Sequence, residues 1–564
     1  MFLFEEAPLT KQFGQPVCLR ADAWGVGLSM ALLMGCTSAE PPAPVEATVT
    51  VLAQGGPLHA TNGMYFDPDG RLYVGSASSG VVAAIDPETG EVLERWGPEE
   101  GVRGPDDLTV GPDGSVFWTD FGFGEVRRRT PDGTTTLIAS PGLGVNPITF
   151  SDDGRLFVSQ CALGVQLFEI DPDGIEEPRL INDQLGPGCG LNGMDWGPDD
   201  RLYGPRMSTS EVVRVDVDRG TVETVASDFE APVALKFDSQ YRLHVLDTGA
   251  GEVLRVDVET GDTEVVGHVG IGSDNLAFSA DDRLFVSSFT DSYIVEVIGP
   301  DTNRDVIAGG VSFPGGIAYV PTTGGSGRLF LADRRALREL DPTTGTQVHA
   351  VNGLVSDVGE AMSVHPHGAH LILSGPTSVR IWDPDGDRLV ARFDGFEEAV
   401  DALPLDSDII VSEYETGSVV RFDPESPDAR TVVASGLEAP AGLATHGGSV
   451  YVADRSGTIF QILEDGEPLD PPRAVATGLA GPEGIAVDEN GTLYVVEEDA
   501  GRVTQVDPAT GTTTLVADGL ILSGLEQKSI GETTAVGFLT GIAVGDGSLY
   551  VSSYPENRVY RIDR

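Results

Sequence analysis

The chain reads as an all-β protein assembled from twelve copies of one four-stranded unit, and three observations lead there. A motif of about forty residues recurs from one end of the sequence to the other. Within each copy, short runs such as RLYVG, RLFVS and SLYVS alternate apolar and polar residues, the period of a strand with one packed face. Tight-turn chemistry (DPDG, SDDG, DENG, then D-P-x-T-G) separates the runs, supplied from 72 glycines and 37 prolines. No segment has helical periodicity. The one place for a helical turn is the insertion from Leu520 to Val536.

A clean copy runs PEGIAVDENGTLYVVEEDAGRVTQVDPATGTTTLVA, from Pro482 to Ala517. It reads as strand, D-x-x-G turn, strand, G-x-V/I loop, strand, D-P-x-T-G turn, strand, which is one blade of a β-propeller. Innermost strands are expected near Met64, Leu108, Ile148, Met194, Leu235 and Leu276, then near Ile317, Met362, Ala402, Leu443, Ile485 and Ile542. They are compact and apolar (GIAVD, NLAFS), as the crowded centre of a ring requires.

Twelve blades exceed the usual four to about eight of a single ring, and 564 residues exceed one ordinary core. The expected architecture is two tandem six-bladed β-propellers, each closed by its own N-terminal outer strand. ATVTVLA, Ala47 to Ala53, resembles an outermost strand and would complete the sixth blade, whose third strand is YIVEVIG. NRDVIAGG, Asn303 to Gly310, would complete the last blade, which stops after NRVYRID. Closure removes an aggregation-prone edge. A split of seven and five leaves no matching clasp. The expected boundaries are 1–36 for a signal segment, 37–46 for a tether, 47–302 for the first propeller and 303–564 for the second.

Formal net charge is -53, from 88 Asp and Glu against 35 Lys and Arg, and the lysines are Lys11, Lys236 and Lys528. Such a surface repels nucleic acid and anionic lipid. It suits cationic ligands, divalent metals or a salty medium, or serves solvation alone. The acids are spread through the repeats, so they form no acidic tail.

Trp24 to Met34 is an apolar run too short to span a bilayer. It leads into Leu33-Met34-Gly35-Cys36, which resembles a bacterial lipobox with Cys36 as the lipidated residue. Glu5 and Glu6 in a long leading region imply a start downstream of Met1. Thr37 to Glu46 reads as a Pro-rich tether. The expectation is an exported bacterial lipoprotein, on the periplasmic side of a membrane or at the cell surface, held by lipid alone, and monomeric. Cys18 falls in the leader. Cys161 and Cys189 fall in loops of neighbouring blades on one face, where they would form a disulfide or stay as two buried thiols.

The residues just before each innermost strand surround the mouth of a propeller channel. In the first ring that column reads Asn62, Asp106, Asn146, Asn192, Val233 and Asp274, with Asp107 and Asn275 beside two of them. Converging carboxylate and amide oxygens are what Ca²⁺ or another hard divalent cation requires. The same residues also cap tight turns through backbone hydrogen bonds. Phe121, Phe123 and Met207 would form an apolar wall at that face. In the second ring the column reads Gly315, Glu360, Val400, Ala441, Glu483 and Thr540, with Asp333, Asp454 and Glu497 nearby. It reads as a structural ring or a partner platform rather than a second acidic site. His365, His367 and His370 are expected in a solvated turn on the opposite face.

The repeat resembles NHL-type propellers, and the first ring is similar to the gluconolactonase/regucalcin-like and paraoxonase group. Leu191-Asn192-Gly193-Met194 resembles that group's Asn-Gly ligand turn, Ser273-Asp274-Asn275-Leu276 its Asp-Asn pair, and Asn146 a further ligand. Asn62 stands where the group carries a first-blade Glu, and Val233 interrupts the ring. The resemblance implies a divalent metal on Asn146, Asn192, Asp274, Asn275 and Asn62 that polarises a lactone or ester carbonyl. Asp106 or Asp107 would serve as general base, with His59 as an alternative. The competing expectation is a non-catalytic module that binds a glycan, a peptide or an envelope protein, since the fold serves both uses. A quinone- or metal-cofactor oxidoreductase lacks tryptophan docking repeats and paired histidine ligands.

Overall fold

A computed structural model describes residues 47–523 and 539–564. The leader, Cys36, the tether and residues 524–536 of the late insertion lie outside the described residues. Twelve four-stranded antiparallel sheets follow one another along the chain. The innermost strands Thr61–Phe66 and Ser273–Phe278 pack side by side, which closes a first ring of six blades. Ile317–Val320 and Ile542–Gly545 do the same for a second ring of six.

The clasps differ from the expectation. The sixth blade takes its outer strand from the adjacent Thr302–Ile307, through a hairpin in which Gly299 pairs with Thr302. Thr48–Gln54 instead pairs with Arg558–Asp563, from Thr48↔Asp563 to Gln54↔Arg558, and completes the last blade. The physical reason lies in the turn. A hairpin of two loop residues closes at far less entropic cost than a strand sent across half the chain. The first ring is therefore the continuous segment 61–307, inserted into the second, which comprises 48–54 and 317–563. The boundary at 302/303 cuts through a hairpin, and the N-terminal strand belongs to the second ring.

Two strands of backbone pass between the rings, 55–60 and 308–316. They run so close that a Cβ on Gly55 would lie 1.7 Å from Val311 O, so glycine is required there. Arg338 of the second ring, fully buried, pairs with Asp333 of its own ring and with Asp291 of the first at 2.8 Å. Asn557 Nδ2 donates to Gly56 O and Leu58 O, and Tyr554 Oη donates to Ser78 O.

Apolar side chains fill the spaces between neighbouring blades. Phe157 of blade three stacks on Trp196 of blade four at 5.5 Å, and Phe117 meets Phe150 edge-on at 5.1 Å. Each fully buried Val, Leu or Phe contributes about 1.5–3 kcal/mol, which rewards the period-two pattern. Two devices then shape the mouths. The innermost strands begin with a register shift, between Thr61 and Met64, Pro105 and Leu108, Val145 and Ile148, and Ser273 and Leu276. Such bulges free a residue from the ladder and re-aim its side chain. A hydroxyl on the second strand then fixes the freed backbone: Thr119 Oγ1 donates to Asn146 O at 2.6 Å and Ser287 Oγ to Asn62 O at 2.7 Å.

Candidate functional site

The freed residues of the first ring face a cavity of about 930 Å³ between the mouths of the two rings. All six column positions line it: Asn62, Asp106, Asn146, Asn192, Val233 and Asp274. Phe121, Phe123 and Met207 form part of its wall, with Ile271 and Phe289.

At the floor, Asn62 Nδ2 donates to Asp106 Oδ1, while Asp106 Oδ2 is buried without a hydrogen-bond partner. Burial drives the Asp106 carboxyl well above its ordinary range, Asp274 and Asp107 add to the shift, and Arg335 opposes it. Asp274 is pushed up to about 7 by burial and then by the charge of Asp107, again against Arg335. The floor therefore holds two carboxyl groups short of positive charge.

Asp107 and Asn275 are not brought to the cavity. Asp107 lies beneath the floor, where its carboxylate accepts hydrogen bonds from Leu108 N, Ile148 N and Asn275 Nδ2 at 2.9, 3.1 and 3.2 Å. Asn275 Oδ1 accepts from Leu276 N. Lys236 Nζ donates to Met194 O at 3.0 Å; burial raises the Asp107 pKa, and the Lys236 charge only partly opposes it. These residues stitch the hub. Among the described residues, no group of three or more His, Cys, Asp and Glu gathers closely enough to hold a metal; the column's oxygens are largely amides.

His59 sits between the rings, against the rings of Tyr554 and Phe313. Its Nε2–H donates to Tyr554 O at 2.9 Å, and burial lowers its pKa to about 4. It is a neutral interface residue away from the cavity. Cys161 and Cys189 are joined in a disulfide, and Cys161 lines the cavity.

The second ring differs at its hub. Met362, Val400, Ala441 and Leu539 form an apolar cluster. Glu483 is buried against Arg455 and accepts from Thr540 N at 2.9 Å. Asp333, Asp454 and Glu497 accept backbone N–H groups of the loops before the innermost strands, from Ser312, Glu438 and Ala480. They cap those loops. His365 departs from the expected solvated turn: it lies within the strand Ser363–His367, and its Nε2 bonds Asp401 Oδ1 at 2.9 Å. Burial lowers the His365 pKa, but the Asp401 carboxylate outweighs it and the net shift is upward.

Sequence reasoning missed the roof. Arg334, Arg335, Leu354 and Val355 of the second ring line the same cavity. Arg334 and Arg335 occupy the turn after Arg328–Asp333, a loop that reaches a ring's mouth. The paired arginines, in a loop where several copies carry Gly, were the available signal; that the two mouths face each other was not legible.

No family model matches the sequence, and no curated protein sequence matches it. Similar solved structures include virginiamycin B lyase from Staphylococcus aureus, at 15% identity over 51% of this chain and 96% of that one, with a TM-score of 0.36. A streptogramin B lyase gives 16% identity over 51% and 94%, with a TM-score of 0.37. PorZ, a surface component of the type-IX secretion system of Porphyromonas gingivalis, gives 13% identity over 91% and 87%, with a TM-score of 0.32. Among the described residues, no helix is long and apolar enough to cross a membrane.

Proposed function

We propose that the chamber over the first ring binds a small molecule together with a divalent cation, and that the chemistry it supports is hydrolysis of a lactone or ester. The observation that carries this reading is the pair Asp106, buried, and Asp274, half-buried, at the floor of a cavity, with one Asp106 oxygen lacking any partner. Four hard oxygen donors of the expected set line the cavity, Asn62, Asn146, Asn192 and Asp274, and they fit Ca²⁺ better than a softer metal. Bound there, a cation would supply polarisation of a carbonyl oxygen. Asp106 is the better of the two proposed bases, because the Asp107 carboxylate is engaged by three donors. A desolvated carboxyl with a raised pKa is a stronger proton acceptor once ionised. Phe121, Phe123 and Met207 would hold the apolar part of the substrate. The leader and the Cys161–Cys189 disulfide support export, with lipid on Cys36 as the anchor.

The test is a calcium titration followed by thermal unfolding, then turnover of lactones and aryl esters. A rise in Tm with calcium and hydrolysis abolished by chelator and by Asp274→Ala are the expected results. A rise in Tm without turnover would leave a binding protein. Arg335 favours that second reading, since a cation of the chain lines the same cavity as the floor carboxyls. The absence of both a calcium shift and turnover would sink the cation reading.

A further inference from the structure

Arg335 is held in place yet short of partners. Its backbone is pinned on both sides: Gly353 N donates to Arg335 O at 2.7 Å, and Ala361 N donates to the preceding Arg334 O at 2.7 Å. Its guanidinium lies on the face of Phe289, 4.1 Å from the ring centroid, so the plane is fixed by a side chain of the opposite ring. Its ion partner Glu360 stands 3.6 Å away, too far for a hydrogen bond, and is shared with Arg334 at 3.8 Å. Arg335 Nε is buried with no hydrogen-bond partner. The side chain is 18% exposed, and that exposure opens into the cavity it lines.

A guanidinium offers five N–H donors in a rigid fork that matches two oxygens of one anion. Leaving such donors unmet in a desolvated place costs stability, and a ligand that meets them recovers it. The floor acids do not fill this role, because the ion pair of Arg335 is with Glu360 and Asp106 Oδ1 is engaged by Asn62 Nδ2. Apolar side chains line the same cavity: Phe121 and Phe123 from the first ring, Leu354 and Val355 from the second.

We propose that the chamber is a composite site in which Arg335 of the second ring grips the anionic oxygens of a small molecule whose apolar body rests on Phe121, Phe123 and Leu354. The ligand class is thus a carboxylate or sulfonate on an aromatic or aliphatic body. The second ring is then more than a platform: it supplies the group that selects the ligand. This rests on the reading of the chamber as a small-molecule site, but not on a cation at its floor.

The probe is anilinonaphthalene sulfonate, titrated by fluorescence into the full chain, with N-phenylnaphthylamine as the same body without the anion. Binding of the sulfonate elsewhere is suppressed by a net charge of -53. Arg335→Met should weaken the sulfonate about tenfold or more while N-phenylnaphthylamine stays within about twofold, as a lost charge-assisted fork predicts. Arg335→Lys should recover part of the loss. Leu354→Trp narrows the chamber at the wall assigned to the apolar body and should weaken both probes. Equal sulfonate affinity in Arg335→Met, equal weakening of both probes at unchanged Tm, or retention of both in Leu354→Trp would overturn the proposal. Should Arg335→Met not fold, Arg335→Lys and Leu354→Trp decide the matter alone. A calcium shift that persists beside an Arg335-independent dye sinks only the Arg335 assignment. An Arg335-dependent dye without any calcium shift sinks only the cation reading.

Discussion

Asn275 Nδ2 donates to Asp107 Oδ1 at 3.2 Å, joining residues 168 apart in sequence across the hub of the first ring. With its bonds to Leu108 N and Ile148 N, one carboxylate ties together blades two, three and six. The second ring repeats the device at Asp401, which accepts from Ala402 N at 2.9 Å and Leu443 N at 2.7 Å. There His365 takes the place of the third donor. In blades two and six of the first ring the column residue thus faces the chamber, and the residue after it locks the ring.

Asp107→Ala would strand two buried backbone N–H groups and an amide, each costing about 1–3 kcal/mol when unmet. The expected outcome is a loss of stability of several kcal/mol and a Tm lower by several degrees. Asn275→Ala removes one of those bonds and should cost about 1–2 kcal/mol. Asn146→Ala, on the chamber side, should leave Tm nearly unchanged. Thermal unfolding of the three variants checks this. An Asp107 variant as stable as wild type would contradict the locking role.

The floor acids make stability depend on pH in a defined direction. Asp274 titrates at about 7 when folded against 3.8 unfolded, so its contribution is full below the lower value and is lost as pH rises through the upper one. His59 has the opposite sign, because its folded pKa of about 4 lies below the ordinary 6.5. The difference between wild type and Asp274→Asn removes the His59 term. Relative to wild type, Asp274→Asn should gain stability between pH 5 and pH 8, by about 1–4 kcal/mol. Calcium should restore wild type at pH 8 and do little at pH 5. Unfolding midpoints across that range, with and without calcium, test the sign.

The twelve units and their partition into six and six were legible because each repeat spends its apolar residues on a period of two and its Asp and Gly on turns. The column was legible for the same reason: Asn62, Asp106, Asn146, Asn192 and Asp274 stand two residues before Met64, Leu108, Ile148, Met194 and Leu276, at the mouth end of the inner strands, and all line the cavity. Asp107 and Asn275 were not separable from it in the sequence. A bulge frees two adjacent residues, and which one faces the chamber depends on the local backbone rather than on residue type. The clasps were misassigned because two strands of similar composition compete for two open blades, and pattern does not record pairing. Arg335 was beyond reach, because it acts across an interface that no repeat encodes.

Arg338 is fully buried between Asp333 and Asp291. Asp333 keeps its bonds from Ser312 N and Phe313 N without it, but its charge loses its counter-ion. Arg338→Met should therefore cost about 3–5 kcal/mol, as breaking a buried pair from one side does. Asp291→Asn, at a site 26% exposed, should cost less than about 1–2 kcal/mol. The damage should concentrate where the rings join. Limited proteolysis is expected to cut Arg338→Met within 308–316 well before wild type, and equal cutting rates would remove Arg338 as the rivet.

The pairing of Thr48–Gln54 with Arg558–Asp563 makes the second ring depend on a strand that lies ahead of the first ring in sequence. Deleting residues 47–54 would expose the edge of Arg558–Asp563, a row of unpaired N–H and C=O groups. The first ring, whose blades each take all four strands locally, loses nothing of its own sheets. The expected result is a protein whose second ring unfolds at lower temperature and aggregates, while amide protons of the strand Ser273–Phe278 stay protected from exchange. Hydrogen exchange read by peptide separates the outcomes. Early exchange in Ile294–Gly299, with Arg558–Asp563 unaffected, would mean that the N-terminal strand closes the first ring instead.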